Sequence, residues 1–428
     1  MTGRPAGETP PPSVLMVDPS LFSLPYDEHL CRALAHIGVP VTLVGRPLRT
    51  YEHLEPEGFT FAPLFYPRTE TSNADWRGSP GRRLLKGLEH ARGLLALTRR
   101  TRTERPDVVH LQWFGLPFLD RLALRRIGRS AGLVMTVHNS TVLHGAAHAA
   151  WLQILGDRRA RTMFDRYIVH TKKTANHLAE LGIDADRVTL LAHPPLRLNH
   201  TGGGEGAGPL VEEFTPKGRD SEEKPVRLLF FGSIKHYKGV DLLVEAALRL
   251  AARGLPFRLD VLGRPFEPMD GLERRVATAG AAGRIRFDLR YIPDGLLAER
   301  LAAADIVVFP YREIDASGAL ALAVEAGKPI VASDVGVFGE PGTRDHLRLV
   351  PAGDVNALTA ALAELVEDEA VRAVWAAAVR RLSGTMSSWE EFARRSLEVY
   401  RLAADAAACR RGAAIGADRL DPSPERVR

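Results

Sequence analysis

Two segments of the sequence combine small, hydroxyl and basic residues in an order that suits a phosphate group. The first follows an apolar run at residues 229–231 and reads GSIKHYKG from Gly232 to Gly239. A glycine allows a ligand to approach the backbone closely. Lys238 would add a full positive charge to a helix N-terminus that already carries about +0.5 of a charge. The segment therefore predicts a diphosphate site, and the alternative is an ordinary strand-to-helix turn with a solvated lysine.

The second segment follows residues 306–309 and contains Asp315, Ser317 and Gly318 before a run of small residues that favours a helix. Ser317 and Gly318 at the start of that helix would offer a hydroxyl and main-chain N–H groups to a phosphate. Asp315 would accept hydrogen bonds from sugar hydroxyls. The alternative is that Asp315 or Ser317 only caps the helix, a contribution of about 1 kcal/mol.

A third candidate, His138, follows the β-prone run at residues 134–137 in the first half of the chain. In open parallel sheets, ligands bind outside the carboxyl ends of the strands. A histidine at such an end faces the ligand more plausibly than the core. A single histidine among fourteen is still more often structural, so the residue type alone leaves both roles open.

Short apolar runs that alternate with helical patterns must position these residues. The runs lack in/out alternation, which is typical of parallel strands covered by helices on both faces. The pattern predicts two doubly wound α/β domains. Their strands are expected at residues 14–17, 39–44, 108–111, 134–137, 167–169 and 188–191, and then at 226–231, 258–262, 285–287, 306–309, 330–332 and 347–350.

The domain boundaries are predicted where the apolar periodicity stops. A chain of 428 residues is longer than one typical domain. Residues 201–225 are dominated by Gly, Glu, Asp and Lys, as in a linker or mobile loop. We expect a disordered leader at 1–12, a first domain at 13–200, that linker, a second domain at 226–385, a C-terminal helix at 386–406 and a flexible tail at 407–428.

The composition narrows the class of protein and of partner. Hydrophobic residues make up 45% of the chain and charged residues 25%, as in ordinary globular proteins. Two cysteines are too few for a disulfide framework or a cysteine metal site, which favours a cytoplasmic location. The net charge of +5 favours an anionic partner. Aromatic residues are not interleaved with the basic ones as in base-stacking modules, so no nucleic-acid partner is expected.

Several catalytic classes lack their motifs in this sequence. His-Glu-x-x-His, paired-cysteine and Walker patterns are all missing. The sequence therefore predicts no metal site, and it counts against a P-loop kinase.

Together, these segments resemble the retaining glycosyltransferases of family 4, which have the two-domain GT-B fold. The likeness extends over nearly the whole ordered chain. It implies two Rossmann-like, doubly wound parallel-sheet domains that face each other across a cleft, with the C-terminal helix crossing back to the first domain. The N-terminal domain would bind the acceptor, and the C-terminal domain would bind the nucleotide sugar. The motifs that carry it are Val137-His138, Phe231-Gly232, Tyr237-Lys238-Gly239, Leu262-Gly263, Ala304-Asp305, Asp315 through Gly318, Gly327-Lys328-Pro329, Asp334-Val335-Gly336 with Glu340, and Ser388-Trp389.

The resemblance implies an activity and a set of site residues. A sugar would move from a nucleotide diphosphate donor to an acceptor hydroxyl on a glycan, glycolipid or secondary metabolite. The anomeric configuration would be retained, with no metal ion and no cofactor other than the donor itself. The catalytic residues would be Lys238 on the diphosphate, His138 beside the transferred sugar, and Asp315. The donor-binding residues would be Gly232, Ser233, Lys235, Lys238, Gly263, Arg264, Arg290, Tyr291, Ile292, Asp315, Ser317 and Gly318.

The sequence departs from the common family pattern at three places. Ser233 replaces the arginine that often follows the glycine of the phosphate loop, and Lys235 is the expected substitute. The usual pair of glutamates falls on Ile314 and Leu322, with Glu313 and Asp315 nearby. The glycine pair after the first strand is replaced by residues 19–25.

Other functions remain open on the residues alone. A nucleotide-sugar epimerase, a sugar phosphorylase or a catalytically silent nucleotide-sugar-binding protein would use a similar scaffold. Residues 82–102 mix arginines and leucines at helical spacing, which fits either peripheral contact with an anionic inner membrane face or an ordinary packed helix with a basic surface.

Overall fold

The computed structural model describes residues 10–50, 52–70, 80–140, 157–198 and 224–419. Within these ranges the chain forms two compact units. The first contains the residues up to 191 together with those from 388 onward, and the second contains residues 192–387. The leader expected at 1–12 and the linker expected at 201–225 lie, except for their last residues, outside the described residues.

The first unit is built on a sheet of seven parallel strands in the order β3-β2-β1-β4-β5-β6-β7. All six strands predicted for this half are confirmed. The sequence missed β3, which is a short edge strand with Thr60 and Pro63 exposed and so lacks a continuous apolar run. The strands are β1 (Val14–Val17), β2 (Val41–Gly45), β3 (Thr60–Pro63), β4 (Val108–Leu111), β5 (Gly132–Val137), β6 (Arg166–Val169) and β7 (Val188–Leu190).

Helices cover both faces of this sheet, and alternate residues of β1 enter the two resulting cores. Met16 packs with the helix at Leu24–His36, and Val17 packs with Leu97 and Leu124 on the opposite face. This double covering is why the strands read as continuous apolar runs. The helices before the C-terminal one are α1 (Leu24–His36), α2 (Pro80–Glu104), α3 (Pro117–Ile127), α4 (Asp157–Arg161) and α5 (Lys172–Glu180).

The C-terminal helix belongs to the first unit and is longer than the sequence suggested. It runs from Trp389 to Arg419 and packs on α1, β5 and β6, so a flexible tail beginning at residue 407 is wrong for the described residues. Its alanines favour helix, and Ala403 and Ala407 are fully buried. Near its end, the guanidinium of Arg410 pairs with Asp165. These contacts hold the helix in place as far as Arg410.

The second unit has a sheet of six parallel strands in the order β10-β9-β8-β11-β12-β13. All six of these strands were predicted from the sequence. The strands are β8 (Val226–Phe231), β9 (Phe257–Leu262), β10 (Ile285–Asp288), β11 (Ile306–Phe309), β12 (Ile330–Ser333) and β13 (Arg348–Val350). The helices that cover them are α6 (Val240–Ala252), α7 (Asp270–Thr278), α8 (Asp294–Ala303), α9 (Gly318–Glu325), α10 (Val355–Glu367) and α11 (Glu369–Thr385), and the C-terminal helix is α12 (Trp389–Arg419).

Candidate functional site

The first phosphate segment is a tight turn between β8 and α6. Gly232 follows β8 with a φ of 108°, and Gly239 ends a 3-10 turn at His236–Lys238 with a φ of 66°. L side chains rarely adopt such angles. A Cβ on Gly239 would lie 2.0 Å from the carbonyl oxygen of Pro310. The glycines therefore let this turn close against the loop that follows β11.

Lys238 lies at the centre of the turn. Its side chain is 8% exposed. Its Nζ is 3.0 Å from the position that a Cβ on Gly232 would take, and 5.3 Å from the centre of the Tyr311 ring. Burial, and then the charge of Lys235, lower the pKa of Lys238 to about 7. This buried amine differs from the solvated lysine of the alternative interpretation, and a neighbouring anion would favour its charged form.

The loop after β9 packs directly on the loop after β8. Gly263 has a φ of 145°, and a Cβ there would lie 2.0 Å from the carbonyl oxygen of Gly232. Two cations flank this contact: the Nζ of Lys235 and the guanidinium of Arg264 lie 5.1 Å and 5.9 Å from the centre of the Phe266 ring. Burial lowers the pKa of Lys235. The structure thus brings these predicted residues to one edge of the sheet, with Ser233 half-buried in the same loop.

The second segment begins α9. The Oγ of Ser317 accepts a hydrogen bond from the main-chain N–H of Leu320 at 3.2 Å, so Ser317 is the helix cap and its hydroxyl hydrogen remains a donor. Asp315 is fully buried and does not cap the helix. Its carbonyl oxygen accepts from the main-chain N–H of Val337 at 3.0 Å. The capping alternative therefore holds for Ser317 and is wrong for Asp315.

The predicted base-binding residues follow β10, the strand at the edge of the sheet. Arg290 is exposed, and its Nε donates to an oxygen of Asp288 at 2.8 Å. Tyr291 is 39% exposed, whereas Ile292 is buried at 9%. All the predicted donor residues thus follow four adjacent strands, β10, β9, β8 and β11, at their carboxyl ends.

Core packing explains the missing glutamates. Ile314 is 5% exposed and lies within the core of the second unit, and Leu322 packs against the same core. A Cβ on Gly336 would lie 1.9 Å from the carbonyl oxygen of Ile314, so the backbone is closely packed there too. Of the two expected substitutes, Asp315 is buried and Glu313 is exposed.

Sequence reasoning missed Arg312, which ties the two phosphate segments together. Its main-chain N–H donates to the carbonyl oxygen of Tyr237 at 2.7 Å, and its Nη1 donates to the carbonyl oxygen of His236 at 2.8 Å. Both acceptors belong to the turn that carries Lys238. The only signal in the sequence was that Arg312 stands inside the second segment.

In the first unit, His138 is half-buried at the carboxyl end of β5. Its Nε2 donates to the amide oxygen of Gln112 at 2.9 Å, because that oxygen can only accept. Its ring stacks on Trp113 with the ring centres 4.9 Å apart and the planes 10° from parallel. His170 lies nearby, and burial lowers its pKa to about 4, so it is neutral at pH 7.

The described residues contain no group of three His, Cys, Asp or Glu side chains placed to hold a metal ion. The sequence contains one Asp-x-Asp pattern, at Asp184 and Asp186. Both side chains are exposed, at a 3-10 turn before the edge strand β7.

Comparison with known proteins gives consistent matches to both halves of the chain. Residues 25–193 match the model of the Glycosyl transferase 4-like domain, and residues 225–368 match that of the Glycosyl transferases group 1. The D-inositol 3-phosphate glycosyltransferase of Geodermatophilus obscurus is 30% identical over 346 residues, covering 74% of this chain and 71% of that protein. The GDP-mannose:glycolipid 4-beta-D-mannosyltransferase of Xanthomonas campestris is 36% identical over 109 residues, covering 25% of this chain and 30% of that protein.

Among solved structures, the Anabaena protein HepE in complex with UDP and glucose superposes with a TM-score of 0.65. The match covers 90% of this chain and 98% of that one at 13% sequence identity. At that identity the likeness shows the fold alone, and the fold is GT-B.

Proposed function

Because the chain belongs to the glycosyl transferases group 1, has the GT-B fold and is a glycosyltransferase, we propose that its second unit binds a nucleoside diphosphate sugar through Lys238. The observation that carries the proposal is the buried amine over Gly232, at the carboxyl end of β8 and next to the N-terminus of α6. A buried amine with a pKa near 7 gains more from an adjacent diphosphate than a solvated one would. The structurally similar HepE holds UDP and glucose, which supports this class of donor.

Lys238 would act mainly on the departing diphosphate. When the bond from the sugar's anomeric carbon to the phosphate oxygen breaks, its electron pair stays with that oxygen. A cation and helix N–H groups already aimed at the phosphate stabilise this charge without reorganising, which is usually the largest catalytic contribution. Ser317 and Gly318 would add a hydroxyl and main-chain N–H groups at the start of α9.

The acceptor hydroxyl would attack the same face of the anomeric carbon that the diphosphate leaves. The acceptor's proton would pass to the departing phosphate, so the configuration is retained and the charges balance. His138, whose Nε2 already donates to Gln112, would lie beside the transferred sugar. Asp315 and Glu313 would accept sugar or ribose hydroxyls. Arg290, Tyr291 and Ile292 would contact the base.

The experiment that tests the proposal is a thermal-shift panel of uridine, guanosine and adenosine diphosphates and their common sugar conjugates. A ligand at one hundred times its dissociation constant stabilises a protein by about 2.7 kcal/mol. We expect one nucleotide to raise the melting temperature selectively and Lys238→Ala to reduce the shift. Lys328→Ala is the matched control, because the Lys328 amine donates to the carbonyl oxygen of Ala302 outside the site. No shift with any nucleotide would reject the proposal.

Catalysis is tested with the nucleotide sugar that the panel selects. Loss of one charge-stabilising donor costs about 3 kcal/mol, or roughly a hundredfold in turnover. We expect Lys238→Ala to show a loss of this size with a nearly unchanged melting temperature. Unchanged turnover would remove Lys238 from the site. Released nucleoside diphosphate with a new glycoside marks a transferase, whereas a dependence on inorganic phosphate would mark a phosphorylase and interconversion of the donor sugar an epimerase.

Retention and metal independence need their own measurements. The Xanthomonas relative, which matches a quarter of this chain, is named for a β-linked product. The stereochemistry at the anomeric carbon must therefore be measured for this chain. We expect NMR at C1 to show the same anomeric configuration in the product as in the donor, and we expect turnover to be unchanged in a strong chelator. An inverted anomeric configuration would refute retention. Loss of turnover that Mg²⁺ or Mn²⁺ restores would refute metal independence.

We also propose that α2 contacts anionic membrane. Leu94 and Leu97 are buried in the core, but Leu84, Leu88 and Leu95 are exposed at 68%, 53% and 59% and share one helical face. Four exposed arginines lie on the same helix, and none of them has an ion-pair partner among the described residues: Arg83, Arg92, Arg99 and Arg102. Leucines flanked by arginines suit an interface with anionic lipid. No helix within the described ranges is long and apolar enough to cross a bilayer.

Vesicle sedimentation tests this contact. We expect binding to phosphatidylcholine vesicles that contain phosphatidylglycerol, weaker binding at high salt, and loss of binding when the three exposed leucines are changed to serine. Leu402→Ser is the control, since Leu402 is 48% exposed but lies on α12. Absence of binding at low salt would refute the proposal.

A further inference from the structure

The loop between β1 and α1 exposes an aromatic ring beside a strained residue. Phe22 is 66% exposed, whereas Leu21 is buried at 4% and has a φ of 47°. A left-handed φ is strained for a bulky L residue and persists only where the surroundings impose it. The leucine's burial explains its own position but not the exposure of the neighbouring Phe22 ring. Binding residues concentrate on loops that a rigid scaffold positions, and ligand sites are lined mainly by apolar and aromatic side chains.

Buried groups hold this loop in place. Asp18, directly after β1, is fully buried, and one of its oxygens accepts from the main-chain N–H and the hydroxyl of Ser23 at 2.9 and 3.3 Å. A Cβ on Gly45 would lie 2.4 Å from the side chain of Leu21, so only glycine leaves room for that side chain. The loop geometry is therefore imposed by the first two strands.

The carboxyl of Asp27 adds to this support. Burial raises the pKa of Asp18, and burial followed by the charge of Asp18 raises that of Asp27 well above its usual range. Burial therefore favours the neutral form of each carboxyl group. The Oδ1 of Asp18 has no hydrogen-bond partner among the described residues. A fully buried carboxyl oxygen without a partner costs folding free energy, so the surrounding structure must hold this loop firmly.

A row of three rings crosses the carboxyl ends of β1, β4 and β5. The Phe22 and Trp113 ring centres are 4.9 Å apart with the planes tilted by 60°, and Trp113 stacks in turn on His138. The indole N–H of Trp113 donates to the Oγ of Ser23 at 3.0 Å. Trp113 therefore contacts both of the other rings in the row. Phe22 is its most exposed member.

We propose that Phe22 is the surface on which a sugar ring of the acceptor stacks. The inference rests on the proposed function and specifies the acceptor as carbohydrate. One face of a pyranose carries C–H groups, which are attracted to the negative face of an aromatic ring, while its hydroxyls point outward. Phe22 offers one such face, with Ser23 and His138 as polar neighbours in the row. A lipid tail would need a broader apolar patch than one ring supplies.

The test separates acceptor binding from donor binding. Saturation-transfer NMR with methyl hexosides and disaccharides, in the absence of donor, should show contact at the sugar C–H protons. Phe22→Ala should remove the signal and Phe22→Trp should restore it. Phe118→Ala is the matched control, because Phe118 is 46% exposed on α3 of the same unit. Nucleotide affinity should be equal in all four proteins.

Kinetics supply a second measurement. Phe22→Ala should raise the KM for a sugar acceptor at least tenfold while kcat changes less, because stacking binds the acceptor before the reaction and in the transition state alike. Equal sugar contact in the wild type and Phe22→Ala would overturn the inference, and so would contact with an alkyl chain but with no sugar. Either result can occur while nucleotides still bind through Lys238, so the failure of this inference is distinguishable from failure of the proposed function.

Discussion

Arg312 and Asp241 form a two-point ion pair beside the turn that carries Lys238. The Nη1 and Nη2 atoms of Arg312 donate to the two carboxylate oxygens of Asp241 at 2.9 and 2.7 Å. Asp241 lies in the first turn of α6, directly after the turn that carries Lys238, and Arg312 lies after β11. The pair lowers the pKa of Asp241 despite its partial burial. Together with the hydrogen bonds of Arg312 to the carbonyl oxygens of His236 and Tyr237, this ion pair joins the two phosphate segments.

We predict that Arg312→Ala weakens nucleotide binding without unfolding the protein. The substitution removes the bonds that hold the turn of Lys238 at its position, so the affinity for the selected nucleoside diphosphate should fall about tenfold, or about 1.4 kcal/mol. Isothermal titration calorimetry measures the affinity, and a melt measures stability.

The control for this prediction is a similar pair remote from the site. Arg348 binds Glu364 through two nitrogens at 3.1 and 2.9 Å, with side-chain exposures of 33% and 43% against 28% and 42% for the Arg312 pair. Arg348→Ala should leave the affinity unchanged. Equal affinities for both variants would contradict a positioning role for Arg312, and Arg312→Lys should recover only part of the loss because a lysine cannot pair at two points.

Donor binding should take up a proton above neutral pH. The pKa of Lys238 is about 7 in the ligand-free protein, and an adjacent diphosphate raises it. At pH 8 the free amine is mostly neutral and the bound amine mostly charged, so uptake should approach about one proton, and at pH 6 it should fall towards zero. Calorimetry in buffers of different ionisation enthalpy measures this uptake. A nucleotide sugar is the right probe, since its doubly esterified diphosphate does not itself titrate there.

Lys238→Met should abolish the uptake, and uptake equal to the wild type would contradict the assignment. The same depressed pKa also sets a stability trend. Between pH 7 and 10.5 the unfolded chain binds more protons than the folded one at this residue, so its contribution to the free energy of unfolding rises with pH. Lys238→Met should therefore gain stability most at and below pH 7.

The first unit should lose stability in mild acid through two buried histidines. Burial lowers the pKa of His110 to about 3 and that of His170 to about 4, against 6.5 for the unfolded side chain. Between pH 4 and 6.5 the unfolded state therefore binds more protons, and stability falls as the pH falls. His110→Gln should lower the slope by about one proton, or about 1.4 kcal/mol per pH unit.

Denaturant unfolding at several pH values measures that slope. His177→Gln is the control, because His177 is partly exposed beside Glu180. The slope is the informative quantity, since His110→Gln also disturbs the bonds of His110 to Tyr400 and Thr136 and so lowers stability at every pH. An unchanged slope would contradict the prediction.

Gly132→Ala should destabilise the contact between β5 and α12. A Cβ at this position would lie 2.4 Å from the carbonyl oxygen of Ala403, so backbone would have to move. We expect a loss of about 1–3 kcal/mol, the usual cost of overpacking. Gly87→Ala in α2 meets no atom within 4 Å and should instead stabilise, by about 1 kcal/mol from helix propensity. Equal melting temperatures for the two variants would show that α12 is not packed tightly on β5.

The local sequence was enough to predict twelve strands and the loops that follow them, because the length and continuity of an apolar run are properties of neighbouring residues. Prediction from local sequence failed where a strand is short and half exposed, as at Thr60–Pro63. It also failed where the end of a helix depends on a contact with a residue distant in sequence. The charges of Arg410 and the alanines before it resembled a frayed tail, but Asp165, far away in sequence, binds that end of the helix.

The features of the site also divide into those predictable from local sequence and those that depend on tertiary contacts. The sequence is enough to predict that glycines, Lys238, Asp315 and Ser317 follow parallel strands, since residue types and spacing are local. The tertiary structure was needed to show that Lys238 is buried and that Arg312 binds Asp241, 71 residues away. It also decided that Ile314 lies in the core and that Phe22 remains exposed beside a strained leucine. These features depend on which segments meet in space, and burial, pKa and strain arise from that meeting and not from the order of residues along the chain.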